Sequence, residues 1–177
     1  MAVRLFHFSD DPAVDRFTPH VPRTNPSQPP QVWAIDEHHQ SLYWFPRDCP
    51  RVTVWPRPDA DPSTFQHAFA TTALRLHAIE TEWVERLAAA TIYRYELPSD
   101  AFRPWPDATG QWISNEPVEP ISCEALSDLA GRHAAAGIEL RVVASLWPLV
   151  DEVTDPAHGR DWDFSIVRIA NARPRDA

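Results

Sequence analysis

The sequence predicts an α+β fold, read as a single domain spanning residues 1–177, with a split, twisted, mostly antiparallel sheet and two main helices. Three observations predict it. Short β-branched and aromatic runs recur between prolines, as in V-R-L-F-H-F at 3–8 and R-V-T-V-W at 51–55. Apolar residues at helical spacing mark only two segments, Ile79–Ala90 and Cys123–Ala136. Strands and helices then mix without a regular βαβ repeat, which favours α+β over a doubly wound sheet.

The elements follow in order. Val3–Phe8 is a strand ended by Asp10-Asp11-Pro12. Residues 18–31 form a Pro-rich loop, of a length that compact domains keep for lids or binding loops. Gln31–Ile35 is a second strand. Asp36 is a good N-cap for a short helix over Glu37–Phe45, stopped by Pro46. Arg51–Trp55 is a third strand. Residues 63–78 carry mixed signals, with an Ala content that leans helical. Ile79, Trp83, Leu87 and Ala90 share one helical face. Thr91–Leu97 alternates like a strand and is closed by Pro98. Trp112–Ser114 is a short strand, and Pro117 and Pro120 bracket an extended turn. Ser122 is the expected N-cap of the second helix and Gly137 its C′ residue. Ile138–Ala144 and Asp163–Ile169 complete the strands, and 173–177 is a frayed tail.

Composition narrows the function. The chain has 177 residues, is 44% hydrophobic, and carries eight Trp and eight Phe, enough for a sizeable core. Its four glycines are scattered, so neither common glycine-rich phosphate loop can form. There is no lysine, which excludes a P-loop lysine, a Schiff base and a pyridoxal anchor. The net charge of −9 disfavours nucleic acid as a partner. No membrane span or leader pattern is read, so the expectation is a soluble cytoplasmic protein with no membrane partner. Cys49 and Cys123 make no metal or disulfide spacing and are expected as buried, inert thiols.

Several residues could carry chemistry. His7 faces opposite to Phe6 and Phe8 on its strand. It either points into a cleft or sits buried and hydrogen-bonded. The run Asp36-Glu37-His38-His39 resembles a metal motif, but adjacent helical histidines diverge by about 100°, so a solvated face is expected and no metal is assigned. Arg47, Asp48 and Arg51 beside Tyr43 would suit an anion or a local ion-pair network. Glu116 is aimed by the Pro117 turn, and Glu80, Glu82 and Glu85 read as a solvated face. Ser114 and Ser145 have no readable partner base.

The blocks L-F-H-F-S at 5–9, V-W-A-I-D-E at 32–37, P-R-D-C-P-R at 46–51, I-E-L-R at 138–141 and F-S-I-V-R-I-A-N-A at 164–172 together resemble a bacterial family of uncharacterised proteins. A more distant likeness runs through L-F-H-F-S, V-W-A-I-D-E-H-H-Q-S-L-Y, T-I-Y-R-Y-E-L-P and W-I-S-N-E-P-V-E-P, which resemble in order and spacing the blocks of ADP-ribosyltransferase-like domains. Phe8 stands where glycine is usual there, and Ile35 replaces a threonine. The resemblance implies an ADP-ribosyltransferase-like fold and NAD as co-substrate, with cleavage of the nicotinamide–ribose bond and an unidentified acceptor. It implies His7 and Ser9 on the dinucleotide, Arg47 on the pyrophosphate, and Tyr43 stacked on nicotinamide. Glu116 becomes the acid that steadies the ribose as positive charge develops. The alternative is a non-enzymatic nucleotide- or protein-binding domain on the same scaffold, since fold alone does not give function.

Overall fold

Two β-sheets organise the chain, and each belongs to its own compact unit. The structure is a computed structural model and describes residues 3–21, 27–158 and 161–175. The chain, read from sequence as one domain, separates into two units of discontinuous sequence. Unit 1 comprises Met1–Trp44 with Thr91–Ser127, and unit 2 comprises Phe45–Ala90 with Asp128–Ala177.

In chain order the strands are β1 Leu5–Ser9, β2 Val32–Asp36, β3 Arg51–Pro56, β4 Leu76–Glu80, β5 Ile92–Leu97, β6 Arg103–Pro104, β7 Gln111–Ser114, β8 Ser122–Leu126, β9 Glu139–Val143 and β10 Trp162–Val167. The helices are α1 Pro62–Ala68, α2 Val84–Ala89, α3 Leu129–Ala135 and α4 Trp147–Thr154. The α+β class and the mostly antiparallel character therefore hold, with β4–β9 parallel and the other strand pairs antiparallel.

Unit 1 is a six-stranded sheet in the order β6-β7-β2-β1-β5-β8. Leu5, Val32, Ala34, Tyr95, Leu97, Phe102 and Val118 form its core. The Tyr95 hydroxyl donates to the Asp11 carbonyl (2.6 Å) and accepts from Val14 N (3.1 Å), tying the segment after β1 to the sheet. The Pro-rich loop 18–31 is closed at its base by paired backbone bonds between His20 and Gln31. Residues 22–26 of that loop lie outside the described residues.

Unit 2 is a four-stranded sheet, β10-β3-β4-β9, with all four helices. β3 and β4 are central and buried almost throughout, as strands covered on both faces must be. Val52, Val54, Phe65, Leu76, Ala78, Leu146 and Trp162 belong to its core.

Several expectations are corrected. The predicted helix Ile79–Ala90 is a strand, a 3₁₀ turn at Thr81–Trp83 and the six-residue α2. Trp83 and Leu87 are both buried as the helical spacing implied, but Ile79 pairs with Arg51 in the sheet, and sheet pairing overrides local propensity. The predicted helix Cys123–Ala136 is edge strand β8 followed by α3. Its N-cap is Asp128, whose side chain accepts from Gly131 N, and not Ser122. Gly137 does take the expected C′ place, at φ +68°. The Glu37–Phe45 helix is a 3₁₀ turn over Gln40–Tyr43. Helix α4 carried no prediction. Cys49 is buried as expected, but Cys123 is exposed on edge strand β8. Arg173, where the tail was expected to fray, donates its backbone N–H to Glu80 (2.9 Å), while 176–177 lie outside the described residues. No helix among the described residues is long and apolar enough to cross a membrane.

Candidate functional site

The ladder of unit 1 is incomplete at one place. β1 pairs with β5 through all five of its residues, from Leu5↔Leu97 to Ser9↔Tyr93. Against β2 it pairs only at Leu5↔Asp36 and Phe6↔Ile35. Where that second ladder ends, a hollow of about 60 Å³ opens. β1 lines it with Phe6, His7 and Phe8, and β2 with Trp33, Ala34 and Ile35. Tyr43 and Gln111 complete the wall.

His7 is half-buried, and its Nδ1 lies 2.8 Å from the Trp33 carbonyl oxygen. A carbonyl can only accept, so Nδ1 carries the proton and Nε2 is the acceptor end of the neutral ring. The ring packs 4.6 Å from Phe17, which meets Tyr95 edge-on at 5.3 Å. Alternation along β1 puts His7 and Phe8 on opposite faces. Tyr43 stacks on Phe8, and its hydroxyl accepts from Gln111 Nε2 (2.9 Å). His7 and Tyr43 thus reach the hollow from opposite faces of the sheet.

The other sequence candidates lie elsewhere. Ser9 Oγ accepts from Asp11 N (3.1 Å) in a local turn, so it shapes the exit of β1. Glu116 is exposed and is not among the residues lining the hollow. Its backbone N–H and carbonyl are both 3.2 Å from Ser114 Oγ. Arg47 is exposed in unit 2, next to Asp48 at φ +65°. The Asp48 carbonyl accepts from Asn171 Nδ2 (2.8 Å), and its carboxylate lies 3.4 Å from Arg168. Two of the sequence blocks, P-R-D-C-P-R and I-V-R-I-A-N-A, are thereby joined. Arg51 is buried, donates to the Cys49 carbonyl and lies over the Phe45 ring.

The run at 36–39 forms a turn. Asp36 Oδ1 accepts both the backbone N–H (2.8 Å) and Nδ1 (2.7 Å) of His39. Burial pushes the Asp36 carboxyl up, but the two bonds from His39 outweigh it and hold it below its ordinary value. Gly110 backs this turn at φ +79°, where a Cβ would come within 2.4 Å of His39 Nδ1. Among the described residues, no group of three His, Cys, Asp or Glu could hold a metal ion.

Sequence reading missed the buried polar groups of unit 2. His133 Nδ1 donates to the Leu129 carbonyl (2.7 Å), which leaves Nε2 to accept from His77 Nδ1 (3.0 Å). His77 Nε2 is buried without a hydrogen-bond partner among the described residues. Burial, then His133, Arg75 and Arg51, press His77 well below the usual imidazole value. Burial also lowers His133, against its bond to Leu129. Glu80 is fully buried and accepts from Leu146 N (3.1 Å) and Arg173 N (2.9 Å), so it is not part of a solvated face. Burial pushes the Cys49 thiol up to about 12, which makes it inert. His77 and Glu80 lie on buried strand β4 and His133 on α3, with no local motif to mark them, whereas the burial of Cys49 was expected.

A model for a family of unknown function, DUF6886, matches residues 6–172, nearly the whole chain, and the chain belongs to that family. No curated protein and no solved structure matches it.

Proposed function

We propose that this member of DUF6886 binds a nucleotide-type small molecule in the slot between β1 and β2, with NAD as the first ligand to test. One observation carries the reading: His7 and Tyr43, both implied by the resemblance, line the same hollow. The His7 Nε2 would accept from a ribose hydroxyl, its tautomer set by Trp33 O. Tyr43, Phe8 and Trp33 supply aromatic faces for a planar ring.

The fuller form of the proposal is an ADP-ribosyltransferase-like enzyme that cleaves the nicotinamide–ribose bond. The departing nicotinamide takes the electron pair of the C–N bond, and positive charge develops on the ribose. Glu116 is the carboxylate proposed to stabilise that charge, with Ser9 proposed on the dinucleotide. A second reading, a non-enzymatic binding domain, is favoured by one observation: Glu116 is exposed and outside the lining of the hollow.

Titrating NAD while following Trp emission and thermal midpoint tests both. Saturable binding is expected, weakened at least tenfold, about 1.4 kcal/mol, by His7→Ala or Tyr43→Ala. Release of free nicotinamide, abolished in Glu116→Gln, supports the enzyme. Binding without release supports the binding domain. No binding removes both.

A further inference from the structure

Unit 2 carries a larger cavity than the slot. It measures about 710 Å³, within the roughly 300–1,000 Å³ of ligand pockets. Ser63, Thr64 and His67 of α1 form one wall and Glu152 of α4 another, with Asp161 and Trp162 where β10 begins. The pattern of α1 explains its wall. Phe65 and Phe69 are buried in the core, so Ser63, Thr64 and His67 stand on the outer face.

The lining is charged with one sign. Two carboxylates and an imidazole contribute to it, and no guanidinium is among the described lining residues. The chain has no lysine to supply another cation. Arg57 donates its backbone N–H to the Asp161 carbonyl (3.0 Å), but its guanidinium lies toward Asp59 (3.6 Å) and Asp163 (3.9 Å). The Asp161 carboxylate itself has no ion pair among the described residues. Ser63 Oγ donates to Asp61 (2.6 Å) and keeps its lone pairs as acceptors.

The ionisable groups do not converge on a point. His67, Glu152 and Asp161 line one cavity, yet no three such groups among the described residues are placed to hold a metal ion. Negative charge spread over separate walls suits a ligand with separated positive ends. Trp162 is 7% exposed and meets Phe69 edge-on at 4.9 Å, so it floors the cavity without offering a ring face. Recognition therefore falls to charge and hydrogen bonding.

We propose that this cavity binds an organic cation with two or more separated ammonium groups, of the polyamine class. Glu152 and Asp161 each hold one ammonium, and the Ser63 hydroxyl accepts a further N–H. The site lies wholly in unit 2 and is independent of the slot in unit 1.

Spermidine is the probe, because its ammonium groups offer several separations along one flexible chain. Calorimetric titration of the full chain at 0.15 M salt, where long-range attraction is screened, should show saturable binding of one spermidine. The single-ended n-butylamine should bind at least fivefold more weakly. Asp161→Asn and Glu152→Gln keep side-chain shape at part-exposed positions, so the fold is retained. Each should weaken spermidine about 3- to 10-fold, somewhat more than an ion pair on the open surface supplies. Glu85→Gln removes the same charge from an exposed position on α2, outside the cavity, and should change nothing. The proposal is overturned if spermidine does not bind at millimolar concentration, or if n-butylamine binds as well. It is equally overturned if Glu85→Gln weakens binding as much as the cavity variants, since the attraction would then belong to the net charge of −9. His7→Ala should leave spermidine binding at the wild-type level, so the cavity and the slot stand or fall separately.

Discussion

Three histidines divide between the two units, and two of them share one kind of anchor. In unit 1, His7 Nδ1 donates to the Trp33 carbonyl; in unit 2, His133 Nδ1 donates to the Leu129 carbonyl, and His77 donates on to His133. The first bond is the same in kind and nearly the same in length. What differs is the surroundings of the ring. His7 is half-buried beside a hollow where a ladder stops, whereas His77 and His133 are sealed at 0% exposure. A backbone anchor fixes a tautomer in either case; the environment of the ring decides whether that tautomer is offered to a ligand or consumed by packing. In the core of unit 2 the two imidazoles answer each other and Glu80 closes over backbone N–H groups, whereas the sheet of unit 1 leaves a slot.

The sharpest way to break this contrast is to remove a closing group of unit 2. Glu80→Ala takes the acceptor from two backbone N–H groups, that of buried Leu146 and the part-buried one of Arg173. Each hydrogen bond to a charged acceptor contributes roughly 1.5–3 kcal/mol, so a loss of about 3–6 kcal/mol is expected in urea unfolding. Glu80→Gln retains one acceptor and should lose about half as much. A loss below 1 kcal/mol for Glu80→Ala would show that the carboxylate does not close the unit.

Acid should act next. His77 and His133 both titrate below the ordinary imidazole value in the folded chain, because burial disfavours their charged forms. The groups recorded around His77 are His133, Arg75 and Arg51, and none of them favours a proton there. Below about pH 6.5 the unfolded chain binds protons that the folded chain refuses. Stability is therefore flat above that value and falls as pH drops through it, by at most ~1.4 kcal/mol per pH unit per histidine. Denaturant unfolding at pH 7 and pH 5 measures the slope. His77→Leu should flatten it, and an unchanged slope in that variant would assign the acid sensitivity to other groups.

A third prediction concerns the support of the slot. Gly110→Ala places a methyl against His39 at a left-handed backbone position, and so presses on the turn that precedes Tyr43. A cost of roughly 1–3 kcal/mol is expected, read as a lowered thermal midpoint. A midpoint equal to that of wild type would mean the turn yields freely.

The strands were legible where prolines bracket a β-branched run: Arg51–Trp55 became β3 nearly residue for residue. The helices were not, because they are only six to eight residues long. At that length a helical period can be assembled from two different elements, as Ile79 in β4 and Leu87 in α2 show. His7 could be picked out from its place on a strand, and Tyr43 from the block resemblance. Their meeting depends on where the β1–β2 ladder ends, and that is set by pairing between residues about thirty positions apart. The histidine pair of unit 2 spans 56 residues and has no local signature at all.

The smallest stability effect belongs to the residue with the largest expected functional one. His7→Ala removes one half-buried hydrogen bond to Trp33 and a contact with Phe17. Neutral bonds of this kind contribute about 0.5–1.5 kcal/mol net, so the unfolding free energy should fall by roughly 1 kcal/mol. His133→Ala strips a sealed ring from the core and orphans His77 Nδ1, at roughly 3–5 kcal/mol. The two substitutions delete the same side chain, so the difference measures the surroundings alone. If His7→Ala proves as costly as His133→Ala, His7 is a packing residue and the slot loses its polar end. If it is cheap and NAD binding drops with it, the ring is held ready for a ligand, which is the distinction between the two units stated as a number.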